Sequence, residues 1–379
     1  MHENRMSTPT YSPGLEGITA GETTICTVEG GLSYRGYFVG DLVEHCSFDE
    51  VAYLLLHGEL PNASDLKAFQ ARVAAARRLP PPLKDLLAAL PKGTTPLDAL
   101  RTSVSALAHF DPDANDHSHD ANVRKAERLL AQIPVAIADH AWLSRGATPP
   151  LSRDDLPLAA NFLSMIRGTE PGPDEVKALE VSLILYAEHE FNASTFAARV
   201  IASTLSDLHS AITGAIGALK GPLHGGANEK VVDILTAAGD TPEAAEKWVR
   251  SALARKERIM GFGHRVYKAG DVRAGILKAY AQKAAEAAGS VALEETAEVI
   301  ERVMAAEKNM HPNLDWPAGR LYHAMKLEIP LYTPIFAMSR ITGWAAHVIE
   351  QLDHNRLIRP RALYTGPARR DVKPLGERG

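Results

Sequence analysis

Apolar positions along most of this chain recur every three to four residues, and long strictly alternating stretches are absent. Leu66, Phe69 and Val73 mark one face of a helix that must end before the Leu79-Pro80-Pro81-Pro82 run. Leu97, Leu100, Val104 and Leu107 mark another. Ser47-Phe48-Asp49-Glu50 has the spacing of a capping box, with Gly58 placed to stop that helix and Pro61 just beyond. Further helices are expected over 121–144, 153–167, 174–189 and 192–206, then over Leu208 to Leu219 and Glu229 to Ala238. The last long helix is expected to open at Thr333-Pro334, with Ile341, Ala345, Val348 and Leu352 as its buried stripe. The one β signal is a small hairpin, Thr24 to Val28 against Leu32 to Tyr37 around Glu29-Gly30-Gly31. The pattern predicts an all-α fold with a small N-terminal β-hairpin.

Size and charge narrow the function. With 379 residues the chain has enough apolar surface for a large core and two domains. A formal charge of -5 argues against nucleic acid as a partner. Two cysteines, Cys26 and Cys46, build no disulfide framework and suit a cytoplasmic compartment. No apolar run reaches the ~20 residues that span a bilayer, and Met1 to Glu16 has no apolar segment of a signal peptide. The polar segment 111–120 mimics a calcium loop at Asp111, Asp113 and Asn115. It carries Asp116 and Asn122 where such a loop needs glycine and glutamate, so it reads as a solvated loop before a helix.

Four glycine- and polar-rich breaks interrupt the helices. Lys220-Gly-Pro-Leu-His-Gly-Gly-Ala-Asn228 sets His224 in a turn that opens a helix. There the positive end of the helix dipole would keep the imidazole neutral and free to donate a hydrogen bond. The stretch 189–196 places His189 between two helices. Ile259 to Lys268 puts His264 after a Gly-x-Gly turn, with Arg273 nine residues on, and 313–319 sets Asp315 among apolar neighbours that would raise its pKa. Each break also has a plain structural reading: a capping histidine, a basic turn, an N-cap aspartate. Nucleotide-binding fingerprints fail, since Gly261-Phe-Gly263 lacks a third glycine and no Ser or Thr follows Lys220. No Gly-x-Ser-x-Gly is present.

Taken together, these stretches resemble the citrate synthases, 2-methylcitrate synthases included. The resemblance runs from Gly14-Leu15-Glu16-Gly17 through Tyr34-Arg35-Gly36, Leu54 to Gly58 and Leu60-Pro61. It continues through the four breaks to Ser339-Arg340 and Arg359-Pro360. It implies a helical homodimer whose subunit has a large domain, 1–216 with 325–379, and a smaller mobile one, 217–324. It implies catalytic roles for His224, His264 and Asp315, and a dicarboxylate clamp of His189, Arg273 and Arg340, with Arg359 supplied by the neighbouring subunit. Ile259, Met260, Gly261, Phe262 and Gly263 would receive coenzyme A. The activity implied is condensation of acetyl-CoA with oxaloacetate, with 2-methylcitrate synthesis from propionyl-CoA as the alternative, and with no metal or other cofactor.

The chain departs from many relatives at Val272, where they carry proline, and at Trp316-Pro317-Ala318, where they carry Phe-Tyr-Ser. It also lacks the added N-terminal region of the longer, NADH-inhibited relatives. Two other readings compete. One is an iron site from His224, His264 and Asp315, which normally sits in a β-barrel. The other is a non-catalytic acyl-CoA binder, which would need no base.

Overall fold

The computed structural model describes residues 11–264, 267 and 270–378. A short meander opens the fold: β1 (Cys26–Thr27), β2 (Ser33–Tyr34) and β3 (Tyr37–Phe38), antiparallel in that order. The expected hairpin thus gains a third strand. Arg35 and Gly36 both take positive φ, 49° and 90°, the turn that reverses a strand tightly, so the run from Leu32 to Tyr37 folds back on itself.

Helices then follow without interruption. They are α1 (Val39–His45), α2 (Phe48–His57), α3 (Ala63–Ala75), α4 (Pro81–Ala89), α5 (Pro96–Leu107) and α6 (His119–Leu143). Next come α7 (Leu158–Arg167), α8 (Pro173–Tyr186), α9 (Ala193–Ala202), α10 (Leu208–Leu219) and α11 (Ala227–Ala238). The last are α12 (Pro242–Ala254), α13 (Val272–Ala288), α14 (Val291–Lys308), α15 (Asp315–Ala324) and α16 (Tyr332–Asp353). The all-α expectation holds, and local chemistry explains many boundaries. Ser47 and Glu50 form the reciprocal cap of α2, and Gly58 ends it with φ of 95°. Asn62 and Asn192 cap α3 and α9 with their side chains. The expected start of the helix at 153–167 moves to Leu158, because the residues from 151 to 157 wrap over Arg77, which donates to the carbonyls of Arg153 and Leu156.

Helix α16 is the axis of the molecule. It is buried along nearly its whole length and packs on α2, α6, α8, α9 and α10. Gly343 lets it approach the end of α8, since a Cβ there would collide with the Glu188 carboxylate and the Ala187 carbonyl. Among the described residues, buried apolar side chains fall into two clusters. The larger spans the chain from Ile25 to Ile349. The smaller gathers Val231, Leu235, Val249, Ile259, Phe262 and Ile300 with Trp316. Leu277, Ala281, Ala318, Leu321 and Tyr322, inside the 217–324 segment, belong to the larger one.

In the polar segment 111–120, the carboxylates that mimic a calcium loop are taken by guanidinium groups. Arg128 binds Asp111 and Asp113, and Arg124 binds Asp113. The segment is a tether on the first turns of α6. Among the described residues no helix is long and apolar enough to cross a membrane.

Candidate active site

One of the glycine-punctuated breaks reaches the ring of Phe336 on α16, and a second is linked to it through Tyr186. Tyr186 lies 4.4 Å from it between ring centroids and His224 lies 6.3 Å from it. The Arg340 guanidinium sits over the same ring at 4.6 Å. Tyr186, the last residue of α8, donates its hydroxyl to Asp315 Oδ1 at 2.7 Å. Asp315 is the first residue of α15, and its backbone N–H is held by the Asn313 side chain at 3.1 Å. Burial pushes the Asp315 carboxyl up to about 6, with the Tyr186 hydroxyl and the charges of Arg273 and Arg340 working against the rise. A carboxylate so placed is a stronger base than an ordinary surface one.

His224 occupies the turn between α10 and α11. The turn is tight because Gly225 lies against the Leu219 carbonyl, where any Cβ would collide with it. Its N–H bonds that same carbonyl at 3.0 Å. The His224 pKa is pushed down to about 4, by burial first and then by the Arg340 charge. Burial and the Arg340 charge thus favour the neutral imidazole expected from the sequence. Its Nε2 lies 2.8 Å from Ser194 Oγ. Ser194 Oγ also accepts from the Trp344 indole N–H at 3.1 Å and lies 2.8 Å from Asn192 Oδ1. The serine proton thus has two acceptors, Asn192 Oδ1 and His224 Nε2. Donation to Asn192 leaves His224 Nε2 to donate to the serine oxygen, and donation to His224 instead leaves the ring proton on Nδ1.

A second group adjoins the first. His189 and His264 lie edge to face at 5.0 Å, and His264 stacks on Tyr267 at 4.7 Å. The Tyr267 hydroxyl is 3.0 Å from His189 Nε2, and its backbone N–H donates to His264 Nδ1 at 3.4 Å. Burial, followed by the charges of Arg273, His264 and Arg340, holds His189 well below the usual imidazole range.

The two arginines differ. Arg273, in the first turn of α13, is paired with Asp271 through Nε at 3.0 Å and Nη2 at 2.8 Å, which holds its pKa up. Arg340 is 2 % exposed, yet its side chain donates only from Nε, to the Tyr186 carbonyl at 2.5 Å. Its terminal nitrogens hydrogen-bond to no side chain among the described residues, and burial lowers its pKa. A buried guanidinium fork without an acidic partner favours an incoming carboxylate.

The Ile259 to Gly263 turn is pinned against His311 to Asn313 by Gly263 N to the His311 carbonyl and Asn313 N to the Gly261 carbonyl, both at 2.9 Å. Gly261 and Gly263 take positive φ, 87° and 78°. Ile259 and Phe262 face inward, each 5 % exposed. Beside the turn lies a cavity of about 650 Å³ lined by Lys256, Arg258, His264, Tyr267 and Lys308. Arg359 stands apart from these groups. It is exposed on the extended arm that follows α16. Sequence reasoning assigned no role to Tyr186, Ser194, Tyr267, Asp271 or Trp344. Ser194 and Tyr267 lie within the recognised stretches, whereas Tyr186 is one aromatic at the end of an apolar run and left no signal.

A helical two-cluster fold with neighbouring imidazoles, a raised carboxyl and an arginine that forms no salt bridge among the described residues describes a class that works on anionic substrates by acid–base chemistry. The sequence model for the citrate synthase C-terminal domain matches residues 14–361. Citrate synthase 2 of Bacillus subtilis is 44% identical over 371 residues, covering 97% of this chain and 100% of that protein. The 2-methylcitrate synthase of Mycobacterium tuberculosis is 46% identical over 365 residues, covering 96% and 92%. Among solved structures, a ternary complex of carboxymethyl coenzyme A and oxaloacetate with citrate synthase from Thermoplasma acidophilum superposes with a TM-score of 0.92. That protein is 34% identical, with 98% of this chain and 100% of that one covered. Citrate synthase from Pyrobaculum aerophilum gives 0.89 at 38% identity, with 97% and 95% covered. The chain belongs to the citrate synthase family.

Proposed function

We propose that this protein condenses acetyl-CoA with oxaloacetate and hydrolyses the resulting citryl-CoA to citrate and coenzyme A. The observation that carries the reading is the placing of Tyr186, which holds a carboxyl raised to about 6, and of His224, an imidazole lowered to about 4, against one Phe336 ring. A thioester α-carbon is a weak acid, so it needs a base and, at the same moment, an uncharged donor where the enolate charge develops. Asp315 takes the α-proton while the electron pair moves onto the thioester oxygen, which accepts a hydrogen bond from the neutral His224 ring. The α-carbon then attacks the ketone of oxaloacetate, and His264 donates to the oxygen that becomes the hydroxyl. Water finally cleaves the thioester and releases the thiol.

Arg340, with Arg273 and His189, would hold the dicarboxylate, and Arg359 would reach the same substrate from a second subunit of a homodimer. The Ile259 to Gly263 turn and the cavity with Lys256, Arg258 and Lys308 suit the nucleotide phosphates of coenzyme A. The segment 217–324 would close over the substrates, excluding water during condensation. The acid–base groups are all side chains, so the reaction needs no metal or other cofactor, and a cytoplasmic enzyme is consistent with its cysteine content.

Propionyl-CoA is the second reading, because the chain is about as similar to a 2-methylcitrate synthase, at 46%, as to a citrate synthase, at 44%. Thiol release with oxaloacetate and either acyl-CoA tests both. Release with acetyl-CoA preferred supports the first reading, and release with propionyl-CoA preferred supports the second. No release with either overturns the proposal.

A further inference from the structure

The residue after the base is anchored in an unusual way. The Trp316 indole is fully buried and donates from Nε1 to Glu301 Oε1 on α14 at 2.9 Å. The same oxygen accepts from Arg320 Nη1 at 2.8 Å, and Glu301 Oε2 accepts from Lys278 on α13 at 2.8 Å. One carboxylate therefore ties α13, which carries Arg273, to α14 and to the first turns of α15. The other edge of the indole meets the turn expected to receive coenzyme A. Phe262 packs on it at 4.7 Å, and a Cβ at Gly261 would lie 3.0 Å from Trp316 Cε3. Trp316 is thus held between an acidic anchor on one helix and a glycine turn on the other side.

We propose that Glu301 is a positioning residue for proton abstraction. By fixing the Trp316 indole, it sets the rotation of α15 about its axis and so the direction in which the neighbouring Asp315 carboxylate points. This inference rests on the assignment of Asp315 as base. Consecutive helix residues project about 100° apart, so pulling Trp316 toward α14 turns Asp315 toward Tyr186. The carboxylate lies several ångströms from the helix axis. A rotation of about 10° therefore moves it by about 1 Å, enough to cost about a hundredfold in a proton-transfer step. Tyr322, which hydrogen-bonds Ser182, and Arg320, which pairs with Glu294, also hold α15, but at positions further along the helix from Asp315. Arg320 binds the anchor as well and its guanidinium lies 5.8 Å from the centre of the Trp316 ring, but it makes no hydrogen bond to the indole N–H.

Four variants separate this from a purely structural role: Glu301→Ala, Glu301→Gln, Trp316→Phe and Arg320→Met. Turnover is measured with oxaloacetate and whichever acyl-CoA the wild type uses, unlabelled and deuterated at the α-carbon. Glu301→Ala and Trp316→Phe are expected to lower kcat by about 10- to 100-fold and to raise the isotope effect on kcat. The oxaloacetate KM should stay within about twofold, because only an interaction of the chemical step is lost. Glu301→Gln keeps an acceptor for the indole and recovers most of the rate. Glu301→Ala combined with Trp316→Phe should be no slower than Glu301→Ala alone. Arg320→Met lowers the thermal midpoint without raising the isotope effect. An unchanged isotope effect in Glu301→Ala, additive losses in the double variant, or an Arg320→Met enzyme that behaves like Glu301→Ala would each overturn the proposal.

Titration of the Asp315 carboxyl by 13C NMR reads the same displacement without turnover. Its midpoint should move in Glu301→Ala and Trp316→Phe and stay in Arg320→Met, and a midpoint unmoved in the first two refutes the anchor. Absence of thiol release from wild type refutes the proposed reaction and leaves this second measurement to decide on Glu301.

Discussion

Replacing Asp315 with asparagine should abolish turnover and make the protein more stable. The carboxyl is raised from 3.8 to about 6, chiefly by burial. The difference of about 2.2 units at about 1.36 kcal/mol each corresponds to about 3 kcal/mol by which the ionised group disfavours the folded state. Asp315 keeps some contact with solvent in the cleft, and screening there brings the expected gain to about 1–3 kcal/mol. Asparagine retains an oxygen to accept the Tyr186 hydroxyl, so that hydrogen bond survives. The sign follows from the folded pKa lying above the unfolded one. The wild type carries the full penalty above pH 6, sheds it as pH falls from 6 towards 3.8, and carries none below that. The gap between variant and wild type should therefore be widest at pH 8 and close near pH 4. Urea unfolding at both values measures it. In a thermal scan the gain is about 1–4 °C, given about 2.1 cal/mol/K of unfolding entropy per residue. Loss of a general base lowers kcat by about 10²–10⁴. An asparagine variant no more stable than wild type at pH 8, or one equally advantaged at pH 4, would refute the desolvation argument. Near-normal turnover would refute the role as base.

Other expectations follow from the same cluster. The rate should fall about tenfold per pH unit below about 6 as Asp315 protonates; His224, lowered to about 4, adds no second limb until well below that, and a kcat profile from pH 4.5 to 8 checks both. Ser194→Ala removes the hydroxyl bound to His224 and leaves the buried Trp344 N–H unpaired. It should lower kcat by about 10- to 100-fold, the equivalent of about 1–3 kcal/mol, with the oxaloacetate KM nearly unchanged in steady-state assays. Arg340→Met removes the unpaired fork and should raise the oxaloacetate Kd by about 10- to 100-fold in calorimetry, since charged hydrogen bonds contribute about 1.5–3 kcal/mol. Gly343→Ala drives a methyl group into Glu188 and the Ala187 carbonyl beside His189. It should cost about 1–3 kcal/mol in urea unfolding and weaken dicarboxylate binding as well. If oxaloacetate closes the 217–324 segment, acyl-CoA affinity should rise in its presence, and equal calorimetric affinities with and without it would count against closure.

Helical periodicity, the Ser47–Glu50 capping box and the glycine stops are local properties, written in residues three or four apart. The sequence therefore determined the all-α class, α10 from Leu208 to Leu219 and the turn that presents His224. It marked the four glycine- and polar-rich breaks as candidate sites, although each taken singly also has a plain structural reading. It misjudged the first strands, where a tight turn at Arg35-Gly36 lies inside a run that looks continuous. Only the tertiary structure decided what surrounds each group. Tyr186 reaches Asp315 across 129 residues of chain, and Trp344 reaches Ser194 across 150. Among the described residues Arg340 forms no salt bridge, with Glu188 acting on it only at longer range, while Arg273 is paired with Asp271, a difference no spacing announces. The pKa values of His224 and Asp315 come mainly from desolvation, and desolvation depends on what packs overhead rather than on the neighbours in sequence.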